Sequence, residues 1–282
     1  MSVFAFIVTY NRLNLLKEVL IALRSQTYPL DKIIVVNNSS TDGTEEWLAT
    51  QDDLIVIKQP NIGGAGGFET GVRYCFENGA DWIWMMDDDV FPNSDCLEKL
   101  LSYKDQALCM QPYRYFSDNI LVEWQANYDL KNAQVKPIDF SKETNVINNC
   151  CFEGCLINRE VVEKIGFPDT RFFIAGDDSS YGWRVSKQFK ILYIRDARMV
   201  RAKKSTDVNN SQMYEYYTLR NRHLLSAVYD ELGISKRKFN QQTFEMYFVA
   251  FFKSLCKFEF KRIKFLRRTF FDMINRKTGK TY

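Results

Sequence analysis

Short apolar runs alternate with stretches of helical spacing along the first hundred residues. Phe4 to Thr9 is a predicted strand, and Leu16, Val19, Leu20 and Leu23 then share one face of a helix over 13–25. Lys32 to Asn37 is a second strand, followed by a helix that starts about Thr41 or Asp42, either of which suits an N-cap. Leu54 to Lys58 is a third. The glycine run Gly63-Gly64-Ala65-Gly66-Gly67 then leads into a helix over 69–78. Trp82-Ile83-Trp84-Met85-Met86 is apolar throughout, as a strand buried on both faces should be, and it runs directly into Asp87-Asp88-Asp89. Strands and helices alternating in this way predict an α/β fold, a mostly parallel, doubly wound sheet flanked by helices.

The pattern weakens over 102–150, where Gln111-Pro112-Tyr113-Arg114-Tyr115-Phe116, Trp124 and Tyr128 make an aromatic, polar stretch. Such a stretch either lines a pocket or packs as plain loop. Helical spacing returns near Arg159, a second acidic pair, Asp177-Asp178, precedes another helical segment, and 190–194 is a further strand. From Glu245 onward, Tyr247, Phe248, Phe251, Phe252, Leu255 and Phe258 keep helical spacing while Lys253, Lys257, Lys261, Arg262, Lys264, Arg267 and Arg268 interleave with them. A basic amphipathic helix of this kind suits an anionic membrane surface. The competing expectation is a helix docked on the rest of the chain or on a second copy.

Composition narrows the picture. Of 282 residues, 46% are hydrophobic and 26% charged, ordinary for a soluble globular protein. Charge is uneven: from Lys253 to Tyr282 there are ten Lys/Arg against two Asp/Glu, whereas the preceding residues carry a net −5. The basic end points to anionic lipid, and the acidic remainder argues against nucleic acid. Seven cysteines without Cys-x-x-Cys spacing are expected to be reduced thiols, and a single histidine, His223, makes the usual zinc sites improbable. The N-terminus has the look of a first strand, not of a signal peptide, and no run reaches the ~18 apolar residues of a spanning helix. The expected location is therefore cytoplasmic, peripheral on the inner face of the membrane.

Candidate chemistry gathers at the strand ends. Thr9-Tyr10-Asn11-Arg12 offers a hydroxyl, an amide and a guanidinium; Asn37 to Thr44 offers small hydrogen-bonding groups. The glycine run lets backbone N–H groups approach a ligand, although it fits neither the dinucleotide nor the P-loop fingerprint. In a parallel sheet these loops share one edge with Asp87 to Asp89. Three adjacent acids suit Mg²⁺ or Mn²⁺ bound together with substrate phosphates, and equally suit an acidic turn capping the next helix. The convergence favours a nucleotide-diphosphate site. Asp177-Asp178 is either a helix cap or the source of a general base.

In order and spacing, Thr9-Tyr10-Asn11-Arg12, Val35 to Thr44, Asn61 to Gly67, Asp87-Asp88-Asp89 and Gly176-Asp177-Asp178 resemble the inverting family-two glycosyltransferases of the GT-A fold over roughly residues 3–205. Within that family, Asn61 to Phe68 and Asp177 to Arg184 are similar to galactofuranosyltransferases, with rhamnosyltransferases sharing much of the pattern. The resemblance implies a GT-A domain over 1–210, with a nucleotide-sugar half (1–100) and an acceptor half (101–210). A helical region over 211–282 would then serve membrane association or dimerisation. It implies a nucleotide-sugar donor, UDP-galactofuranose being favoured, held by Thr9, Asn11, Arg12, Asn37, Asn61, Gly63, Gly64, Asp87, Asp88 and Arg201. Asp87 and Asp89 would bind Mn²⁺ or Mg²⁺, Asp178 would deprotonate a hydroxyl of a lipid-linked or growing glycan, and Asp177 would support it.

Two departures accompany the resemblance. Asn37 stands where the family often has an acid, and is expected to accept the uracil N3–H. Arg201 stands near the place where related enzymes have a metal-ligating histidine, so metal binding is expected to be weak or partly replaced by the cations of 201–204. The other readings are a rhamnosyl- or hexosyltransferase using a dTDP- or UDP-sugar, a nucleotidyltransferase, and a nucleotide-sugar-binding membrane scaffold without turnover.

Overall fold

The computed structural model describes residues 1–122, 127–204, 206 and 211–282. The first half alternates as expected: β1 (Val3–Thr9), α1 (Leu13–Arg24), β2 (Lys32–Asn37), α2 (Thr44–Leu48), β3 (Leu54–Lys58), α3 (Gly63–Glu77) and β4 (Trp82–Asp87). Next come β5 (Val90–Pro92), α4 (Cys96–Leu101), β6 (Cys109–Tyr115), β7 (Tyr128–Asp129), β8 (Gln134–Val135), β9 (Thr144–Ile147), β10 (Leu156–Asn158), α5 (Arg159–Ile165), α6 (Asp177–Ser186) and β11 (Ile191–Arg201). The chain closes with α7 (Gln212–Arg220), α8 (Arg222–Glu231), α9 (Arg237–Cys256) and α10 (Phe260–Ile274).

The main sheet runs β3-β2-β1-β4-β10-β6-β11-β5, with β9 also on β11. Strands β3, β2, β1 and β4 are mutually parallel, and so are β6 and β11; β10 is the antiparallel strand joining the two sets. Alternation along β1 sets the two layers. Val3, Ala5 and Ile7 face the core under α1 and α4, whereas Phe4, Phe6 and Val8 face the core under α3 and α5. The carboxyl ends of β1, β2, β3 and β4 therefore lie on one edge, where their loops meet.

Three local expectations change. The second helix is capped not by Thr41 or Asp42 but by left-handed Gly43; Asp42 instead accepts from Leu13 N and from the Thr44 hydroxyl. The glycine run is not a loop before a helix but the first turns of α3, which begins at Gly63. Small residues there let the helix lie close on β1, since a Cβ at Gly67 would meet Val8 at 2.4 Å and one at Gly71 would meet the Phe6 ring at 2.2 Å. The stretch taken as irregular holds β6, an interior strand. Gln111, Pro112 and Arg114 hid it from a periodicity reading. Pro112 is tolerated because β10 pairs β6 only at Cys109 and Met110, leaving no ladder partner for the missing N–H.

The basic tail is two antiparallel helices, not one. Tyr247 and Phe251 of α9 face Leu266 and Phe270 of α10, and Tyr216, Tyr217 and Leu219 of α7 join them in one apolar cluster that includes Phe173. No helix among the described residues is long and apolar enough to cross a membrane.

Candidate active site

Asp87 closes β4, and the turn to β5 carries Asp88 and Asp89. The three carboxylates have different partners. Asp88 is buried and turned toward β1, where Thr9 Oγ1 donates to its Oδ2 at 2.8 Å and Arg12 Nη1 donates to its Oδ1 at 3.0 Å. Arg12 also reaches Asp89 Oδ2 at 3.1 Å. Asp87 and Asp89 turn to a third acid, Glu153, and carboxylate oxygens of the three lie within 4.8 Å of one another.

Glu153 was not expected from the sequence. It lies between Cys151 and Cys155 in the strand-less segment before β10, and nothing in its periodicity marks it. Gln111 fixes that segment by donating to Glu153 O at 2.9 Å and accepting from Cys151 N at 3.1 Å. Gly154 follows at φ +87, packed so tightly on Met199 that a Cβ would sit 2.2 Å from its sulfur. The Glu153 carboxylate pairs with buried Arg114 of β6 and, at 3.1 Å, with Arg201 of β11. Burial pushes its carboxyl up, but Arg114 and Arg201 outweigh burial and hold it below the usual range. Burial, with Glu153, Asp89 and Asp88 alongside, pushes Asp87 well above that range. Four acids here face Arg12, Arg114 and Arg201, with Lys203 also acting on Glu153, and Asp87 is the acid whose charge these cations least offset. All-oxygen, carboxylate donors are the hard ligand set that Mg²⁺ or Mn²⁺ takes, so the residues present fit a divalent cation. The single histidine, His223, is on α8 with its Nδ1 at 2.7 Å from Arg220 O, and takes no part.

The loops expected beside these acids do meet there. Asn11, at φ +54, accepts from Thr41 N at 2.6 Å and so ties the β1 loop to the β2 loop. Asn61 accepts from Gly63 N at 3.0 Å. Ala65 N is taken by Phe173 O at 3.1 Å, so part of the α3 N-terminus is already satisfied by the chain. Gly64 alone of the run has nothing within 4 Å of a Cβ position. Asn37 is fully buried at the end of β2, where its Oδ1 accepts from Ser40 N at 2.9 Å and shapes the loop. Arg201 pairs through Nη2 with Glu153, and its Nε is buried without a hydrogen-bond partner among the described residues.

Asp177 and Asp178 open α6 behind left-handed Gly176. Neither acts as the N-cap. Burial and the neighbouring Asp178 raise Asp177 to about 7; burial raises Asp178 to about 6, with Arg114 opposing. Asp178 lines a cavity of about 410 Å³ with Tyr128, Trp183, Tyr214, Arg222 and Phe239, whereas Asp177 is buried and is not part of its lining. Tyr128 and Trp183 stack with centroids 5.3 Å apart, giving one wall a flat aromatic face. Tyr128 thus belongs to a pocket, as one of the two readings of that stretch had it; Tyr113 is core, and Trp124 lies outside the described residues. Tyr214, Arg222 and Phe239 come from α7, α8 and α9, so the C-terminal helices build part of this cavity, which the sequence pattern did not reveal. The six buried cysteines are free thiols, as is exposed Cys256.

The family described as Glycosyl transferase family 2 matches residues 4–166. The chain is 31% identical over 193 residues to the galactofuranosyltransferase GlfT1 of Mycobacterium tuberculosis, covering 63% of this chain and 62% of that one. It is 25% identical over 238 residues to the dTDP-rhamnosyl transferase RfbF of Shigella flexneri, 79% of each chain. The match to the mycobacterial relatives thus spans under two thirds of their length. Among solved structures, the mannosyltransferase PcManGT from Pyrobaculum calidifontis, in complex with GDP-Man and Mn²⁺, has a TM-score of 0.59 at 18% identity, covering 95% of this chain and 73% of that one. At that identity the likeness carries the fold, the GT-A architecture expected above.

Proposed function

The chain belongs to glycosyl transferase family 2, and from that premise we propose that it moves a sugar from a nucleotide-sugar onto a glycan hydroxyl by direct displacement with inversion. The carrying observation is the meeting of Asp87, Asp89 and Glu153 within 4.8 Å at the carboxyl edge of the sheet, beside the cavity that Asp178 lines. Asp87, Asp89 and Glu153 would hold Mn²⁺ or Mg²⁺, which when bound supplies charge to offset the diphosphate leaving group. PcManGT, of the same fold, carries a nucleotide-sugar and Mn²⁺. The loops of Thr9, Asn11, Arg12, Asn61 and Gly64 would shape the nucleotide side. Arg12, half-exposed and paired with Asp88 and Asp89, would exchange one of these carboxylates for a phosphate.

Asp178 is the base. Its carboxylate faces the cavity, and its raised pKa near 6 makes it a better proton acceptor than an ordinary aspartate while leaving it ionised at neutral pH. It takes the proton of the acceptor hydroxyl as that oxygen bonds to the anomeric carbon and the bond to the nucleotide diphosphate breaks. Asp177, buried behind it, keeps the pair's charge close and supports the base. Tyr128 and Trp183 offer a face against which a sugar ring stacks. UDP-galactofuranose is the favoured donor because the chain is 31% identical to GlfT1 over 193 residues; the RfbF match, 25% over 238 residues, favours dTDP-rhamnose as the second reading. The acceptor is proposed to be a lipid-linked or growing surface glycan.

The test is release of free nucleotide from UDP-galactofuranose, UDP-galactose and dTDP-rhamnose, each with and without a galactofuranosyl or rhamnosyl lipid acceptor. Acceptor-dependent release from one donor, with a product of inverted anomeric configuration, is expected. Donor binding without release under any condition would leave a nucleotide-sugar-binding scaffold instead.

A further inference from the structure

Helix α9 presents two apolar stripes where a docked helix needs one. The first is Thr243, Tyr247, Phe251 and Ser254, three or four residues apart, turned inward toward α10 and α7. The second lies one position further round: Phe244, Phe248, Phe252 and Leu255, all exposed. It continues past the end of the helix into Phe258 and Phe260, which are 76% and 73% exposed at the turn into α10. Phe248 and Phe252 stack in parallel 6.3 Å apart, with Val249 beside them. Six large apolar side chains in one contiguous solvent-facing band exceed the scattered exposure normal for a monomer.

The charges around the band say what it faces. Between Phe239 and Phe271 the only acids are Glu245 and Glu259. Arg262 is neutralised by Glu215 and Arg268 faces Asp272, but Lys253, Lys257, Lys261 and Lys264 have no carboxylate partner among the described residues. A second protein copy would bring the same lysines against themselves. An anionic lipid surface would take the rings into its headgroup–acyl boundary and the ammonium groups onto its phosphates.

We propose that the exposed band of α9 and the α9–α10 turn (Phe248, Phe252, Phe258, Phe260 with Lys253 and Lys257) docks on an anionic lipid bilayer. The proposal gives a place to the lipid-linked acceptor and for that sense rests on the transferase reading, though its physics does not. The opposite end of α9 supplies Phe239 to the Asp178 cavity, 17 positions before Cys256. At ~1.5 Å per residue the helix therefore joins cavity and lipid over about 25 Å, a reach suited to a glycan whose lipid end stays in the bilayer.

Co-sedimentation of the full chain with vesicles of phosphatidylglycerol and phosphatidylcholine, against phosphatidylcholine alone, tests this. The wild type should sediment with the anionic vesicles and be released by 0.5 M salt. Both Phe248→Ser/Phe252→Ser/Phe258→Ser and Lys253→Glu/Lys257→Glu/Lys261→Glu should reduce that binding at least about tenfold with the melting temperature unchanged. Binding that survives the phenylalanine changes, or none to either vesicle, overturns the proposal. So does a lipid-free wild-type dimer that the phenylalanine changes turn into monomer, since the band is then a contact between copies. Nucleotide release from the donor in solution, measured on the wild type, is read separately: its absence beside intact vesicle binding removes the transferase reading and leaves the docking surface standing.

Discussion

Two adjacent aspartates at the start of α6 differ because one opens on a cavity and the other is shut in. Asp178 must be ionised to act, so kcat/KM should fall as pH drops through about 6, and Asp178→Asn should lower kcat by ~10²–10⁴ while leaving donor binding intact. A flat profile between pH 5 and 8 would remove it as the base. The raised pKa of Asp177 acts on folding, and in the opposite direction with pH. Its folded pKa, about 7, lies above its ordinary 3.8, so the stability tied to its proton is present below about 4 and lost as pH rises through about 7. Asp177→Asn removes that loss: its melting temperature should exceed the wild type's at pH 8, and the gap should narrow through pH 5 and close near pH 4. Parallel melting curves across that range would show that the carboxylate is not held in an unfavourable setting.

At the scale of elements, α3 is where sequence pattern and packing diverge. A glycine-rich stretch is a weak helix former, so a propensity reading puts a loop there; the close seat on β1 overrides propensity because only a Cβ-free face fits. Gly71→Ala should therefore cost about 1–3 kcal/mol, seen as a lower melting temperature, through the clash with Phe6. Gly64→Ala, facing open space, should leave melting unchanged or slightly raised and instead weaken donor binding. Equal melting losses would mean the run serves packing alone. β1, β2 and β4 were legible because both faces of those strands are buried, and edge strand β3, only partly buried, was legible from its unbroken apolar run. β6 was not, because Gln111 and Arg114 are polar for the sake of the site: one clamps the Glu153 backbone and the other pairs with its carboxylate. The tail's aromatic periodicity gave the helix but not its fold-back, since spacing alone does not say which of two apolar stripes finds a partner.

The whole molecule brings three regions to one point. The sheet edge supplies Asp87 to Asp89, the segment before β10 supplies Glu153, and α6 with the C-terminal helices frames the cavity of Asp178. Glu153 joins them, with Arg114 behind it and Arg201 beside it, and no sequence signal marked it because its importance comes from pairing across the fold. Removing it should take the carboxylate from buried Arg114, leaving Cys151 Sγ among its partners: Glu153→Ala should lower the melting temperature and weaken cation binding together. A stable Glu153→Ala variant would show that Arg114 is satisfied without it.

These carboxylates would hold a divalent cation together with a nucleotide diphosphate, and calorimetric titration of UDP with and without Mn²⁺ reads that binding. Mn²⁺ should tighten UDP at least about tenfold, ~1.4 kcal/mol, and Asp89→Asn should abolish the Mn²⁺-dependent part while still folding. Equal UDP affinity in Mn²⁺ and in EDTA, or no nucleotide binding under either condition, would contradict it.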